Sequence, residues 1–310
     1  MISTASAAAA ARRSPGAQEA AHAARIWRAP AKINLTLHIL GRRDDGWHDL
    51  DSIVAFAGCG DRLVLTPGPR LELAVEGPMA GRLGPPADNL VLRAARLLGE
   101  RVPGLRTGRF HLKKLLPAAA GLGGGSADAA AALRALAHEN GLGLEDLDLA
   151  AAARACGADT LVCLDPRARV MAGVGDRLGA ALDLPKLHAV LVNPGVAVAT
   201  RDVFARLGLA KGASTGAGRS PHLPAGATRH EVLVALAGGR NDLGEAALSL
   251  APIIGEVLIR LGAAGAILAR MSGSGATCFG LFADRAASLE AAREIAKAQR
   301  NWWIRATLLS

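Results

Sequence analysis

The sequence is poor in aromatic side chains: its 310 residues include five Phe, four Trp and no Tyr. Proteins that bind single-stranded nucleic acid stack its bases on aromatic side chains. The formal net charge is +9, but no stretch interleaves basic with aromatic residues. We therefore expect no nucleic-acid partner. The positive charge fits an Arg-rich surface or a small phosphorylated ligand better.

Paired cysteines and long apolar runs are also missing. The four cysteines form no C-x-x-C pair and stand among apolar or small residues: Cys59, Cys156, Cys163 and Cys278. This pattern is typical of buried free thiols, and it favours a reducing, cytoplasmic setting over a disulfide framework or a zinc site. No run of 18 apolar residues is free of charge, Gly or Pro. The sequence thus predicts neither a membrane span nor a membrane partner.

The first 28 residues differ from the rest of the chain. They are rich in Ala, contain four Arg and a single acidic residue, and have little apolar periodicity. A transit peptide or a misassigned upstream start would also have this composition. Because Ala and Arg are abundant throughout the chain, we interpret residues 1–28 as a disordered or dispensable tail.

Alternation of apolar and polar residues predicts a half-buried strand over 32–40, with Lys32 and Asn34 on its polar face. Further strands are predicted at 52–58, 61–68, 70–77, 109–117, 160–164, 168–178 and 187–195, and on both sides of a glycine turn within 266–282. Helices are predicted at 88–100, 126–141, 144–157, 231–237, 241–250, 252–262 and 285–299. Residues 211–229 are rich in Gly, Ser, Pro and Ala and predict a mobile loop. The pattern predicts an α+β protein of two domains, joined near residue 183.

Four glycines in five residues precede the Ala-rich helix in the stretch "LPAAAGLGGGSADAAAALRAL", residues 116–136. A helix N-terminus exposes unpaired N–H groups and the positive end of the dipole, and glycines let the backbone approach a ligand closely. Together they predict an anion site suited to phosphate. A flexible turn is the alternative. The stretch lacks the Lys of a P-loop, and Ser126 stands where the dinucleotide fingerprint needs Gly.

Three further segments accompany this loop: "PAKINLTLHILGRRDDGWHDLDS" from residue 30, "GADT" from residue 157 and "MSGSGATCF" from residue 271. In this order the four segments resemble the GHMP kinases, the galacto-, homoserine, mevalonate and phosphomevalonate kinase family. Within that family, the "GRRDDGWH" and "GLGGGSAD" motifs are similar to the branch that phosphorylates a cytidine diphosphate-linked methylerythritol. The resemblance implies a two-domain α+β GHMP kinase fold, with domains over 29–183 and 184–310 and an active site in the cleft between them.

The resemblance also implies roles for individual residues. ATP would bind over the glycine loop, whose residues are Pro117, Ala118, Ala119, Ala120, Gly121, Leu122, Gly123, Gly124, Gly125 and Ser126. Asp159 would accept the proton of the substrate hydroxyl, and Lys32 would orient Asp159 and stabilise charge on the attacking oxygen. Mg²⁺ is expected with ATP, with Ser126 as the candidate ligand.

The implied substrate side holds the cytidine diphosphate. Its residues would be Asn34, Trp47, His48, Thr200 and Phe204. Trp47 and Phe204 would stack on cytosine, and His48 would hydrogen-bond the base edge. Trp47 replaces the Tyr that is usual in the family, and Thr160–Leu161 follow Asp159 in place of Val-Pro.

Two alternatives stay open. The chain could be a GHMP kinase of another alcohol, such as homoserine or mevalonate, although the "DGWH" turn belongs to the cytidine site. It could also be a non-catalytic protein that binds a nucleotide or RNA, although both Lys32 and Asp159 are present. A small-molecule kinase acting as a monomer or homodimer is the expectation.

Overall fold

The computed structural model describes residues 25–82 and 88–310. Its strands are β1 Ile26–Asn34, β2 His38–Arg42, β3 His48–Pro67, β4 Glu72–Glu76, β5 Gly108–Lys113, β6 Arg169–Gly173, β7 Arg177–Ala181, β8 Leu187–Asn193, β9 Leu268–Met271, β10 Cys278–Phe282 and β11 Trp303–Leu309. Its α-helices are α1 Leu90–Gly99, α2 Gly124–Asn140, α3 Leu147–Cys156, α4 Ala158–Leu164, α5 Thr200–Arg206, α6 Arg229–Ala237, α7 Gly244–Leu250, α8 Ile253–Ala263 and α9 Arg285–Ala298. A short 3₁₀ helix spans Ala80–Arg82.

One mixed sheet runs through both halves of the described chain. Its main path follows the order β4-β5-β3-β11-β8-β10-β9, with only β4 and β5 pairing in parallel along it. The 20-residue strand β3 is the centre, because it also pairs with β1, β2 and β6. The fold is therefore α+β, as predicted. The domain division at residue 183 stays a prediction.

Helices cover the sheet through three apolar clusters. Helices α1 to α4 pack on β1, β3 and β5. Helix α6 packs with the residues of β1 and β3 that point away from α1 to α4, while α8 and α9 cover β8 and β10. The buried face of α2 is mostly alanine, which lets this helix lie close to β1 and β3. That packing brings the start of α2 to Lys32.

The stretch 32–40 is not the half-buried strand that its alternation predicts. The chain leaves the β1 ladder after Asn34, and both of its faces are buried. The buried polar side chains are paired: Asn34 donates to Ser52 Oγ, and the Thr36 and Ser220 hydroxyls lie 2.8 Å apart. Alternation reports polarity rather than exposure, so a polar face covered by distant chain could not be recognised.

Other predictions need correction. The apolar run 160–164 is part of helix α4 rather than a strand, because a run of five residues carries no decisive period. The predicted strands at 52–58 and 61–68 are one strand, β3, and 168–178 folds as the β6–β7 hairpin. Strand β11 and helix α5 were not predicted.

Two segments predicted to lack regular structure, the N-terminal tail and the loop 211–229, can be compared with the described chain. Strand β1 begins at Ile26, inside the predicted tail, and pairs with Val64. Residues 1–24 of that tail lie outside the described residues. Residues 211–228 have no helix or regular strand, and Thr215 and Gly218 hydrogen-bond to β2.

Within the described residues no single helix could cross a membrane; α7 and α8 together have the length and hydropathy, but the chain bends by 119° between them.

Candidate active site

The glycine loop turns sharply into α2. Gly121 and Gly123 have φ angles of 72° and 61°, in the left-handed region that glycine adopts without strain. A Cβ on Gly121 would lie 2.4 Å from the Ser272 carbonyl oxygen, so only glycine allows this contact with the loop that follows β9. Ser272 also accepts a hydrogen bond from Asn34 N and donates to Gly121 O. The loops from the two halves thus hold one another.

A lysine–aspartate pair lies at the start of α2. Lys32 Nζ and Asp159 Oδ1 are 2.7 Å apart, with the lysine side chain 4% exposed and the aspartate 38% exposed. Lys32 comes from β1 and its N–H donates to Leu122 O, while Asp159 sits in the first turn of α4. An added Cβ on Gly123 would lie 3.3 Å from Lys32 Cβ and 3.9 Å from Asp159 Oδ2. Loop, lysine and carboxylate therefore meet at one point.

A cleft of about 1280 Å³ opens over this point, lined by residues of both halves of the chain. It brings together nearly every residue predicted for the site: Lys32, Asn34, Trp47, His48, Pro117, Ala118, Ala119, Ala120, Gly121, Gly123, Gly124, Gly125, Ser126, Asp159, Thr200 and Phe204. Leu122 is the exception. Its side chain is 1% exposed and packs in the core, so only its backbone serves the loop.

Three aromatic rings also line the cleft. The ring centroids of His48 and Phe204 are 4.7 Å apart with planes tilted by 37°, and Trp47 is 64% exposed. The predicted stacking of cytosine between Trp47 and Phe204 stays a prediction; in the described chain the ring that Phe204 contacts is that of His48. Burial, and then the positive charge of Arg42, lower the pKa of His48. Its ring is therefore held neutral, and its buried Nε2 has no partner in the described part of the chain.

Two polar side chains, Asn34 and Thr200, line the same cleft. Asn34 Nδ2 donates to Ser52 Oγ at 2.8 Å, whereas its buried Oδ1 has no partner in the described residues. The Thr200 hydroxyl, at the start of α5, lies 2.8 Å from Ser274 Oγ. An acceptor and a hydroxyl are thus available to a polar ligand in the cleft.

Sequence reasoning missed a buried charged cluster beneath the glycine loop. Lys114 Nζ lies 2.5 Å from Asp61 Oδ2 and 2.6 Å from Asp128 Oδ2. Asp61 Oδ1 also accepts the backbone N–H groups of Leu115 and Leu116. Asp128 stands inside the quoted "GLGGGSADAA" motif, which was the available signal, but its distant partners could not be inferred from spacing.

Burial shapes the chemistry of this cluster. Burial raises the pKa of Asp128 well above its usual value, against the lowering effect of Lys114. Burial alone would lower the pKa of Lys114, but Asp128 and Asp61 together raise it. Asp128 Oδ1 is buried without a partner in the described residues, and both Lys114 and Asp128 line the cleft.

The donor set is compatible with a magnesium ion that arrives with a nucleotide. No group of three or more His, Cys, Asp or Glu residues gathers around a metal position in the described chain. Mg²⁺ in phosphoryl-transfer sites needs only one or two protein oxygens, since phosphates and water supply the rest. The Ser126 hydroxyl and the unpartnered Asp128 oxygen fit that need.

Comparison with known proteins agrees with this geometry. Residues 89–165 match the GHMP kinases N terminal domain, and residues 231–301 match the GHMP kinases C terminal domain. A 4-diphosphocytidyl-2-C-methyl-D-erythritol kinase of Methylobacterium radiotolerans is 58% identical over 283 residues, which cover 91% of this chain and 98% of the relative. The chain belongs to the GHMP kinases, in the 4-diphosphocytidyl-2-C-methyl-D-erythritol kinase family.

Solved structures extend the comparison to the fold of this GHMP kinase. A crystal structure of 4-(cytidine 5'-diphospho)-2C-methyl-D-erythritol kinase has a TM-score of 0.74 and 36% identity, covering 92% of this chain and 99% of that one. A homoserine kinase from Cytophaga hutchinsonii has a TM-score of 0.60 at 19% identity, covering 93% and 94%. The second likeness concerns the fold alone, and it places the kinase within the wider two-domain architecture.

Proposed function

We propose that this kinase transfers the γ-phosphoryl group of ATP to the 2-hydroxyl group of 4-diphosphocytidyl-2-C-methyl-D-erythritol. The observation that carries the proposal is the Lys32–Asp159 pair, 2.7 Å apart, at the start of α2 in a cleft that also holds Trp47 and His48. The 58% identical relative, a 4-diphosphocytidyl-2-C-methyl-D-erythritol kinase, supports the choice of substrate.

Asp159 acts as the general base. It accepts the proton of the 2-hydroxyl as that oxygen bonds to the γ-phosphorus, while the bond from phosphorus to the bridging oxygen breaks and ADP leaves. Lys32 holds Asp159 through their 2.7 Å contact and offers positive charge to the attacking oxygen. Phosphoryl transfer passes through a loose transition state, so positioning and electrostatics matter more than the strength of the base.

The glycine loop binds the phosphates of ATP. The 17-residue helix α2 directs its free N–H groups and the positive end of its dipole at the loop. Mg²⁺ that arrives with ATP would supply positive charge to the phosphates. On this chain Ser126 and Asp128 would hold it.

Cytosine is recognised at the aromatic end of the cleft. Trp47 is exposed and free to stack on the base, and the Phe204 ring lies 4.7 Å from the His48 ring. The neutral His48 ring hydrogen-bonds the base edge through its unpartnered Nε2. Asn34 and Thr200 line the same cleft and are suited to the polar middle of the substrate.

The alternatives are less well supported. A homoserine- or mevalonate-type acceptor gives no role to Trp47, His48 and Phe204, and the homoserine kinase likeness is only 19% identical. A non-catalytic nucleotide- or RNA-binding protein gives no role to the Lys32–Asp159 pair. The cytoplasm stays the expected location, and a monomer or homodimer the expected assembly.

The direct test is an ADP-release assay with Mg-ATP and a panel of acceptors. The panel contains the cytidylylated methylerythritol, free methylerythritol, homoserine and mevalonate. We expect turnover with the cytidylylated acceptor only. Turnover with another acceptor would keep the kinase assignment but contradict the cytosine site. ATP-independent RNA binding with steep salt dependence, and no turnover, would favour the non-catalytic alternative.

A further inference from the structure

The proposed base pocket is built from two distant parts of the chain. One wall is the turn between β2 and β3, which carries Trp47 and His48; the other is α5, which carries Phe204. Stacking interactions depend on ring separations of a few ångströms. Something must therefore fix the distance between the turn and the helix.

The Arg42 guanidinium joins the two walls. Its Nε donates to Gly46 O at 3.2 Å, on the residue before Trp47. Its Nη1 donates to Leu209 O at 2.8 Å, on the chain that leaves α5. Arg42 also stands opposite His48 in the β2–β3 register and lines the cleft. One side chain thus contacts the turn and the end of the helical wall.

The link through the side chain is separate from the link through the backbone. Arg42 N donates to Ala213 O, and Gly212 N donates to Arg42 O, each at 2.8 Å. Both bonds survive any replacement of the side chain except proline. Substitution at Arg42 therefore removes the guanidinium contacts while the main-chain pairing stays.

The charge of Arg42 is not neutralised by a neighbouring carboxylate. Within residues 25–82 and 88–310, no Asp or Glu oxygen lies within 4.0 Å of its guanidinium. Hydrogen bonds from a charged donor are roughly twice as strong as neutral ones. The same charge is the second cause, after burial, of the lowered pKa of His48.

We propose that Arg42 is the positioning residue of the base pocket: its guanidinium ties the Trp47 turn to the chain leaving α5 and so fixes the gap that receives the cytosine of the substrate. The inference rests on the proposed function.

The same turn offers a matched control. An added Cβ on Gly46 would lie 3.5 Å from Lys211 Cε, so Lys211 brings a second cation to the turn. Lys211 is exposed, and its side chain donates no hydrogen bond to the described residues. Lys211→Gln therefore removes one positive charge and leaves the link intact. Arg42→Lys keeps the charge but loses the planar fork, since an ammonium is a point donor.

The experiment compares wild type, Arg42→Gln, Arg42→Lys and Lys211→Gln. Steady-state kinetics give kcat and the KM values for ATP and for the cytidylylated acceptor. Calorimetry gives the Kd of CDP, which does not depend on turnover. NMR of the labelled imidazole follows His48, and thermal melting checks that each variant is folded.

Both Arg42 variants should raise the acceptor KM and the CDP Kd by about tenfold or more, the size of a lost charge-assisted hydrogen bond. The ATP KM and kcat should stay within about twofold of wild type, because binding rather than chemistry is weakened. Lys211→Gln should match wild type throughout. The pKa of His48 should rise in Arg42→Gln and not in Arg42→Lys.

Three results would overturn the inference. The first is that folded Arg42→Gln binds CDP as tightly as the wild type, and the second is that Arg42→Lys does so while only Arg42→Gln loses affinity. The third is that the wild type itself does not bind CDP. The second would assign the effect to charge alone. If the wild type binds CDP and the variants respond as expected, but no cytidylylated acceptor is phosphorylated, the proposed function fails and the role of Arg42 in the pocket stands.

Discussion

Removing the ammonium group of Lys114 should destabilise the fold strongly. Lys114 is 3% exposed and lies between Asp61 and Asp128, which are 0% and 3% exposed. Lys114→Met leaves these two almost fully buried carboxylates without their shared cation. Breaking a buried ion pair from one side typically costs about 3–5 kcal/mol. We expect a loss of that size in the free energy of unfolding near neutral pH.

The loss should depend on pH in a defined direction. The pKa of Asp128 is already raised by burial, and removal of Lys114 raises it further. A carboxyl group with a raised folded-state pKa contributes stability below its unfolded pKa, about 3.9, and loses it as pH rises through the folded value. The deficit of Lys114→Met should therefore be smaller near pH 5 than near pH 8.

Urea unfolding at both pH values measures the deficit. The matched control is Lys113→Met at the adjacent position, the last residue of β5, since Lys113 is exposed and forms no ion pair with the described residues. A deficit below about 1 kcal/mol, the size of an exposed pair, would refute the reasoning. A deficit that grew as pH fell would refute the electrostatic assignment.

Three further predictions concern the loop and the base pocket. Gly121→Ala should lower the melting temperature and raise the ATP KM, because its Cβ would lie 2.4 Å from Ser272 O. Gly104→Ala, at a similar φ of 75° but in open space, should lose only about 1–2 kcal/mol; equal effects would contradict the close approach. Trp47→Ala should weaken binding of the cytidylylated acceptor by about 1–3 kcal/mol, and Trp47→Phe by less; an unchanged KM in both would exclude stacking. Because the pKa of His48 is lowered, the acceptor KM should be constant at neutral pH and rise only at a pH more acidic than the ordinary imidazole value of about 6.5; the same rise in His48→Gln would contradict this role.

The sequence indicated which residues line the cleft better than it indicated what packs around them. Gly121 and Gly123 were identifiable because an adjacent glycine run has few uses other than close backbone approach. The burial of the polar face of 32–40 could not be identified from the sequence, because the residues that bury it, Ser220 and its neighbours, lie far along the chain. The same reason hid the Lys114 cluster, whose partners are 14 and 53 residues away. Long-range pairing leaves no local period in a sequence.

Secondary structure was also predicted well only where the local sequence carries a clear signal. Helices with caps and a clear period, such as α1 after Asn89, were predicted within a few residues. The seven-residue helices α4 and α5 were missed or misread, because so short a segment has no resolvable period. Asp159 and Phe204 lie on these two helices. The resemblance to the family therefore identified them, and local pattern could not.

The measurement that tests the central claim most directly is kcat for Asp159→Ala with the cytidylylated acceptor and Mg-ATP. Loss of a positioned general base typically lowers the rate by about 10²–10⁴-fold. We expect a fall of that size in kcat, with ATP and acceptor binding retained. A kcat within tenfold of wild type would contradict the assignment of Asp159 as the base and, with it, the proposed role of the Lys32–Asp159 pair.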